Sequence, residues 1–409
     1  MGIQGEGQSA LKRLFQLHHS GAVDADGHIL EPPDLWERYL EQRYRDRALR
    51  IRSDDKGEYL EIDGRPSKLV RNGMPGGLGA MDRVGGIVYE RPATGLAYVD
   101  NAPYGGMDAN ERVARLDWEG LERVFLYPTL GVLWIAECVD EDLTQAYIRA
   151  YNRWLIDFCS AAPTRLLPVA QLSLGDPVAA ERELLRAAKD GVVGVWVPPF
   201  SHNRKPLGHA DHARVFAAAA EAGLPLGIHP AFEPKWAAPG RFGEMTSAGY
   251  AFFNNVTAGD AVRHAFTSLF QAGVFEQHPS LRVVVLECGA SWVGYWLDRM
   301  DAVWSSPQGK PVRKVLPQLP SHYFKRQCWI SADPDETTLA GVMSVVGDDR
   351  FFWASDFPHP DHPPDYLAHL ARLVEPMAIV TRAKLLGGNV LQAYGIDDAV
   401  NLGSRRSPS

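Results

Sequence analysis

The chain has 409 residues, 45% of them hydrophobic and 22% charged, which is enough apolar material to bury a large core. A formal net charge of -8 at pH 7, with no basic run, argues against nucleic acid as a partner. Cys138, Cys159, Cys288 and Cys328 form no Cys-x-x-Cys, and there is neither an apolar leader nor a membrane-length apolar window, so a cytoplasmic protein with free thiols and no membrane partner is expected.

Residues 1–20 read as an N-terminal extension with one short amphipathic patch, Ala10 to His18. The first strand follows in Gly21-Ala22-Val23-Asp24-Ala25-Asp26-Gly27-His28, where an apolar step runs into Asp-Gly-His and sets two potential metal ligands at a strand end. Glu31-Pro32-Pro33-Asp34 then starts a helix expected to run through Glu37 to Arg50. From 51 to 109 the pattern breaks: Tyr59 to Arg65 reads as a hairpin and the remainder is rich in Gly and Pro, as in a lid or an assembly arm.

Regularity then returns. Strands are expected at Val124–Tyr127, Leu167–Leu172, Gly194–Val197, Leu224–Ile228, Val283–Leu286, Cys328–Ile330 and Phe351–Ala354. Helical spacing of apolar residues occupies Thr144 to Cys159, Pro177 to Lys189, His212 to Ala222, Ala258 to Phe275 and Trp292 to Trp304. With the first strand this makes eight β-α alternations, the pattern of a (β/α)8 TIM barrel covering 21–396, with an insertion at 51–109 after the first strand and helix and a flexible tail at 397–409. A doubly wound sheet is the alternative fold, but no Gly-x-Gly-x-x-Gly follows any strand.

In such a barrel, chemistry sits past the C-terminal ends of the strands. There the first strand delivers Asp26 and His28, the fifth His229, the sixth Glu287 and the eighth Asp356. Any one of them alone reads as a cap or a hydrogen-bonded structural residue. Together they read as ligands of a divalent ion, because burying three carboxylates without a cation costs several kcal/mol each.

These residues also carry a resemblance. Val23-Asp24-Ala25-Asp26-Gly27-His28, Tyr127-Pro128-Thr129, Gly227-Ile228-His229-Pro230, Gly273 to Pro279, Ser355-Asp356-Phe357-Pro358 and Leu386-Gly387-Gly388-Asn389 follow one another as in the amidohydrolase superfamily. The branch it resembles is the amidohydrolase-2 group typified by aminocarboxymuconate semialdehyde decarboxylase. The resemblance implies a mononuclear metal site held by Asp26, His28, His229 and Asp356. Two departures stand out: Asp26 replaces the first His of the His-x-His found in many relatives, and Glu287-Cys288-Gly289-Ala290 stands where decarboxylases of this branch have a catalytic His followed by glycines.

With Asp26, Glu287 and Asp356 ionised around one divalent ion the site keeps a net negative charge, which repels a substrate carboxylate but not a neutral carbonyl. Hydrolysis of a small cyclic or aromatic carbonyl compound by a metal-activated water is therefore the first expectation, with catalytic roles for Asp356, Glu287 and His229. Metal-dependent, non-oxidative decarboxylation of an aromatic or unsaturated acid is the alternative. Glu287 is ligand or base. Zn²⁺ is the first choice of metal, with Mn²⁺ or Fe²⁺ also suited to the donor set. Trp196, His202 and Arg204 after the fourth strand, Phe252 and Asn254 after the fifth, and His359 after the eighth are the substrate-binding candidates, in an aromatic-lined pocket for a small molecule. The resemblance also implies a homodimer.

Overall fold

The computed structural model describes residues 17–79, 81, 97–234, 236–237, 252–253, 255–360, 362 and 364–396, so residues 10–16 of the amphipathic patch, Asn254 and the 397–409 tail lie outside it. Eight parallel strands form the sheet: β1 (Val23–Ile29), β5 (Arg123–Pro128), β6 (Leu166–Gln171), β7 (Gly194–Val197), β8 (Leu226–Ile228), β9 (Val283–Val285), β10 (Cys328–Ala332) and β11 (Phe351–Trp353), paired in that order. All eight lie where the sequence places strands. Their residues are buried throughout, as expected of parallel strands covered outside by helices and inside by each other's side chains. Alternation decides the two faces: Val124 and Leu126 pack outward against helices, while Phe125 and Tyr127 join Leu167, Trp196, Trp329 and Phe352 in the barrel interior.

The barrel closes between β11 and β1 by an irregular seam. Past the end of β11, Asp356 N donates to Asp26 O at 2.9 Å, and His28 N donates to Phe357 O at 2.6 Å. At the opposite end the short helix Asn389–Tyr394 plugs the interior; Tyr394 lies against Gly194, the first residue of β7, and its hydroxyl bonds that of Tyr127 at 2.6 Å. Among the described residues no helix is long and apolar enough to cross a membrane.

Three expectations need correction. The helix expected to reach Arg50 stops at Tyr39, since Leu40 is extended; a 3₁₀ turn over Gln42–Arg47 follows, and it buries none of its residues and so has no apolar stripe to hold a longer helix. The hairpin is a three-stranded antiparallel meander, β2 (Arg50–Asp54), β3 (Gly57–Ile62) and β4 (Arg65–Pro66). The helix expected over Ala258–Phe275 divides into Gly259–Gln271 and Val274–Gln277, because Gly273 takes a left-handed φ of 70°.

Candidate metal centre at the barrel mouth

Strand β1 is built around a bulge. Its partners on β5 run from Asp24 opposite Val124 to Gly27 opposite Leu126, so three steps on β1 face two on β5. Gly27 is required by space: a Cβ there would lie 2.5 Å from both Arg112 Nη2 and Val124 Cγ2 and 3.0 Å from Asp24 Oδ2. The buried Arg112 guanidinium donates from Nη1 to His28 O at 3.2 Å and lies 4.6 Å from the Phe357 ring centroid. Asp24 accepts from Ser355 N at 2.9 Å and from Ser355 Oγ at 2.6 Å, tying β1 to the turn that carries Asp356. Burial pushes the Asp24 carboxyl up, against the opposing pull of Ser355 and Arg112.

The other candidates arrive from strand ends. His229 follows β8, Glu287 lies two residues past β9, and Asp356 three past β11. Glu287 and Asp356 both hold left-handed backbones, with φ of 44° and 54°, a conformation that is strained for residues with a side chain and that clusters at functional sites.

The side chains meet. His28 Nε2 is 3.4 Å from Asp26 Oδ1 and 3.1 Å from Asp356 Oδ1; His229 Nε2 is 3.4 Å from Asp26 Oδ2 and 3.2 Å from Glu287 Oε2. Ligand atoms of Asp26, His28, His229 and Glu287 all lie within 4.8 Å of one another, and those of His28, Asp356 and His359 form a second such group. His28 Nδ1 faces Pro128 O at 2.8 Å and His229 Nδ1 faces Pro230 O at 2.6 Å. A carbonyl only accepts, so both protons sit on Nδ1, and the two Nε2 lone pairs face each other across 3.2 Å. Two opposed lone pairs ringed by carboxylates fit a shared cation, and hydrogen bonding of the far ring nitrogen is the usual support of a metal-bound His. The electrostatics agree. Burial pulls the His28 and His229 pKa values down, but Asp26 and Glu287 outweigh it and raise both; against its own burial, Asp26 is held below the usual carboxylate range by His229 and His28.

Above this cluster opens a cavity of about 220 Å³. Glu287 and His359 line it, with Thr129, Val132, Phe232 and Asn255 from the barrel loops and Met74 and Leu78 from the insertion. Met74 and Leu78 thus bring part of the 51–109 insertion to the wall of the cavity. His359 joins Asp356 Oδ1 at 2.8 Å to Thr129 Oγ1 at 3.1 Å, and His362 Nε2 is 3.5 Å from Asp356 Oδ2. Of the three carboxylates in the cluster Glu287 is the most exposed, its side chain 20% accessible against 1% for Asp26 and 4% for Asp356.

Of the expected substrate contacts among the described residues, only His359 lines this cavity; Asn254 lies outside them. Trp196 is fully buried in the barrel interior with its ring 5.3 Å from that of His229, so it backs a candidate ligand. His202 Nε2 donates to Ile135 O at 2.9 Å, and Arg204 lies 5.3 Å from the Trp236 ring centroid. Phe252 is 75% exposed. Glu31 is not among the candidates read from the sequence; its buried carboxyl accepts from the amides of Thr129, Leu130 and Gly131 at 3.2, 2.7 and 2.9 Å and fixes the loop that brings Thr129 to the cavity. Burial pushes Glu31 up to about 7 even so.

A family model described as amidohydrolase (Amidohydro_2) matches residues 121–396, a span that contains His229, Glu287 and Asp356 and that the fold joins to Asp26 and His28. Gamma-resorcylate decarboxylase of Rhizobium sp. (strain MTP-10005) is 24% identical over 301 residues, covering 70% of this chain and 87% of that one. Among solved structures, an amidohydrolase from Mycobacterium avium subsp. paratuberculosis K-10 superposes with a TM-score of 0.76 at 23% identity, over 92% of this chain and 100% of that one. 5-Carboxyvanillate decarboxylase from Novosphingobium aromaticivorans DSM 12444, complexed with manganese and 4-hydroxy-3-methoxy-5-nitrobenzoic acid, superposes with a TM-score of 0.63 at 19% identity, over 94% and 99% of the two chains.

Proposed function

The chain belongs to the amidohydrolase family, as a metal-dependent enzyme of that superfamily, and from this premise we propose that it removes the carboxyl group of an aromatic acid without an oxidant, by decarboxylation rather than hydrolysis. The observation that carries the reading is the kinship with gamma-resorcylate decarboxylase along most of both chains. The cavity supports it, being small and largely apolar with Glu287 and His359 in its wall, as suits one aromatic ring.

Asp26, His28, His229 and Asp356 would hold the metal, with Glu287 beside His229. A divalent ion there supplies the positive charge that offsets the carboxylates and attracts the carboxylate of the substrate. Manganese precedes zinc as the proposed ion: a set of three carboxylates and two imidazoles suits either, and the structural relative was crystallised with manganese.

Decarboxylation consumes a proton. The ring carbon bearing the carboxyl group takes it up, the carbon–carboxyl bond breaks, its electron pair restores the aromatic ring, and CO₂ leaves. Glu287, the exposed carboxyl of the set, is assigned as the donor. Repulsion between the acidic ring and a substrate carboxylate favoured hydrolysis in the sequence. A proton carried by Glu287 removes one of those charges, so the same residue now serves the decarboxylase. His359, between Asp356 and Thr129, orients Asp356.

The test is incubation of manganese-loaded protein with a panel of hydroxybenzoates in D₂O. CO₂ release with one deuterium at the vacated ring carbon is expected. Hydrolysis of aryl amides or lactones, with no CO₂ from any acid, would overturn the reading.

A further inference from the structure

Beyond Glu287 lies a second cavity of about 230 Å³. It shares Asn255, Ala258 and Glu287 with the first. Neither alone reaches the ~300 Å³ at which ligand pockets usually begin, and Glu287 stands in the wall of both. Their walls differ in kind. Met74, Leu78, Val132 and Phe232 make the first largely apolar, whereas Arg263, Asp333 and His362 line the second.

The second chamber is held open and preset. Arg263, on the helix Gly259–Gln271, pairs with Asp260 through Nη2 and lies 5.6 Å from the Trp292 ring centroid. These contacts fix the plane of a guanidinium that has about five N–H donors, which leaves donors for a ligand. Asp333 directly follows β10, at the catalytic end of a strand. Gly289, with φ 63°, presents bare backbone where a Cβ would lie 3.6 Å from Asp333 Oδ2.

We propose that this chamber is a subsite for a neutral group that both donates and accepts hydrogen bonds, a carboxamide or a hydroxyl, on a substrate that straddles Glu287. The identity of the other half of that substrate, an aromatic carboxylate, rests on the reading given above. Arg263 supplies donors and Asp333 an acceptor, the complement of an amide or hydroxyl. A second carboxylate on the substrate would face Asp333, and like charges oppose it. A purely apolar substituent would desolvate Arg263 and Asp333 and add no hydrogen bond.

Ligand-observed NMR titrations of the manganese-loaded protein with benzamide, benzoate, 3-carbamoylbenzoate and isophthalate test the subsite. In the wild type, 3-carbamoylbenzoate binds at least tenfold more tightly than isophthalate. Arg263→Ala weakens benzamide at least tenfold and benzoate less than twofold. Asp333→Asn, which keeps the shape of the wall, lets isophthalate bind as tightly as 3-carbamoylbenzoate. Benzamide binding equally to wild type and Arg263→Ala, or isophthalate matching 3-carbamoylbenzoate in the wild type, overturns the subsite. Benzoate failing to bind while benzamide still depends on Arg263 removes the aromatic-acid reading and leaves the subsite standing.

Discussion

Substituting Gly27 by Ala adds one methyl group at the point where β1 turns both ligands of its Asp-Gly-His into the barrel. The new carbon would sit 2.5 Å from Arg112 Nη2 and Val124 Cγ2. Overpacking of this kind costs about 1 to 3 kcal/mol when neighbours can give way. Arg112 has little room to do so: its Nη1 is bonded to His28 O and to Gly105 O at 3.2 and 3.4 Å, and its other face stacks on Phe357. If it moves, the buried Asp24 carboxyl loses the nearby positive charge that opposes its desolvation. The expected destabilisation is therefore toward the upper end of that range, about 3 kcal/mol, a large share of the ~5–15 kcal/mol of a typical native state. Equilibrium urea unfolding with elemental analysis of the purified variant measures both consequences, since a displaced Asp26 and His28 also lower metal occupancy. A Gly27→Ala protein within 1 kcal/mol of wild type and carrying a full complement of metal would refute the packing account of this strand.

Glu287→Gln keeps the shape of the side chain and removes its transferable proton, so kcat for decarboxylation should fall on the order of a hundredfold, measured by CO₂ release; undiminished turnover would exclude Glu287 as donor. Glu31 links stability to pH. Its folded pKa of about 7 exceeds the ordinary value of 4.5, so the folded state binds the proton more tightly and its contribution falls as pH rises from 4.5 to 7, by about 3 kcal/mol in all. Urea midpoints across that range should show the decline in the wild type and lose most of it in Glu31→Gln. Chelator dialysis should abolish activity and lower stability by about 2.7 kcal/mol relative to protein held in manganese at a hundred times its Kd. Readdition of Mn²⁺ should restore both, read by calorimetry and turnover.

The barrel was legible because its strands are short, fully buried apolar runs, and the ligand cluster because polar residues past those runs converge at one end. The same period-2 rule would have placed Trp196 correctly. Val195 and Val197 face the helices, so the residue between them must point inward, beneath His229 and away from any rim. Arg204 and His202 were assigned by proximity to a strand end, but loop residues choose partners that a linear pattern does not encode, here Trp236 and Ile135. Met74 and Leu78 were hidden for a related reason: they reach the cavity from an insertion with no periodicity of its own. The overlong helix before Arg50 came from charge-rich sequence with good local propensity and no face to bury, and tertiary packing settled that contest.

The irregular seam between the first and last strands bears on how the chain assembles during synthesis. Ser355 and Asp24, which clasp that seam, stand 331 positions apart. Asp26 and His28 emerge early from the ribosome, whereas Asp356 emerges only when the eighth strand does. Contacts of such sequence separation form late, since the loop entropy must be overcome before they stabilise anything. A chain cut short before β11 would have most of its core and four of its five candidate ligands, but would lack Asp356 and the seam that holds it. The complete centre thus marks a barrel that has closed, and chemistry placed there is withheld from every unfinished chain.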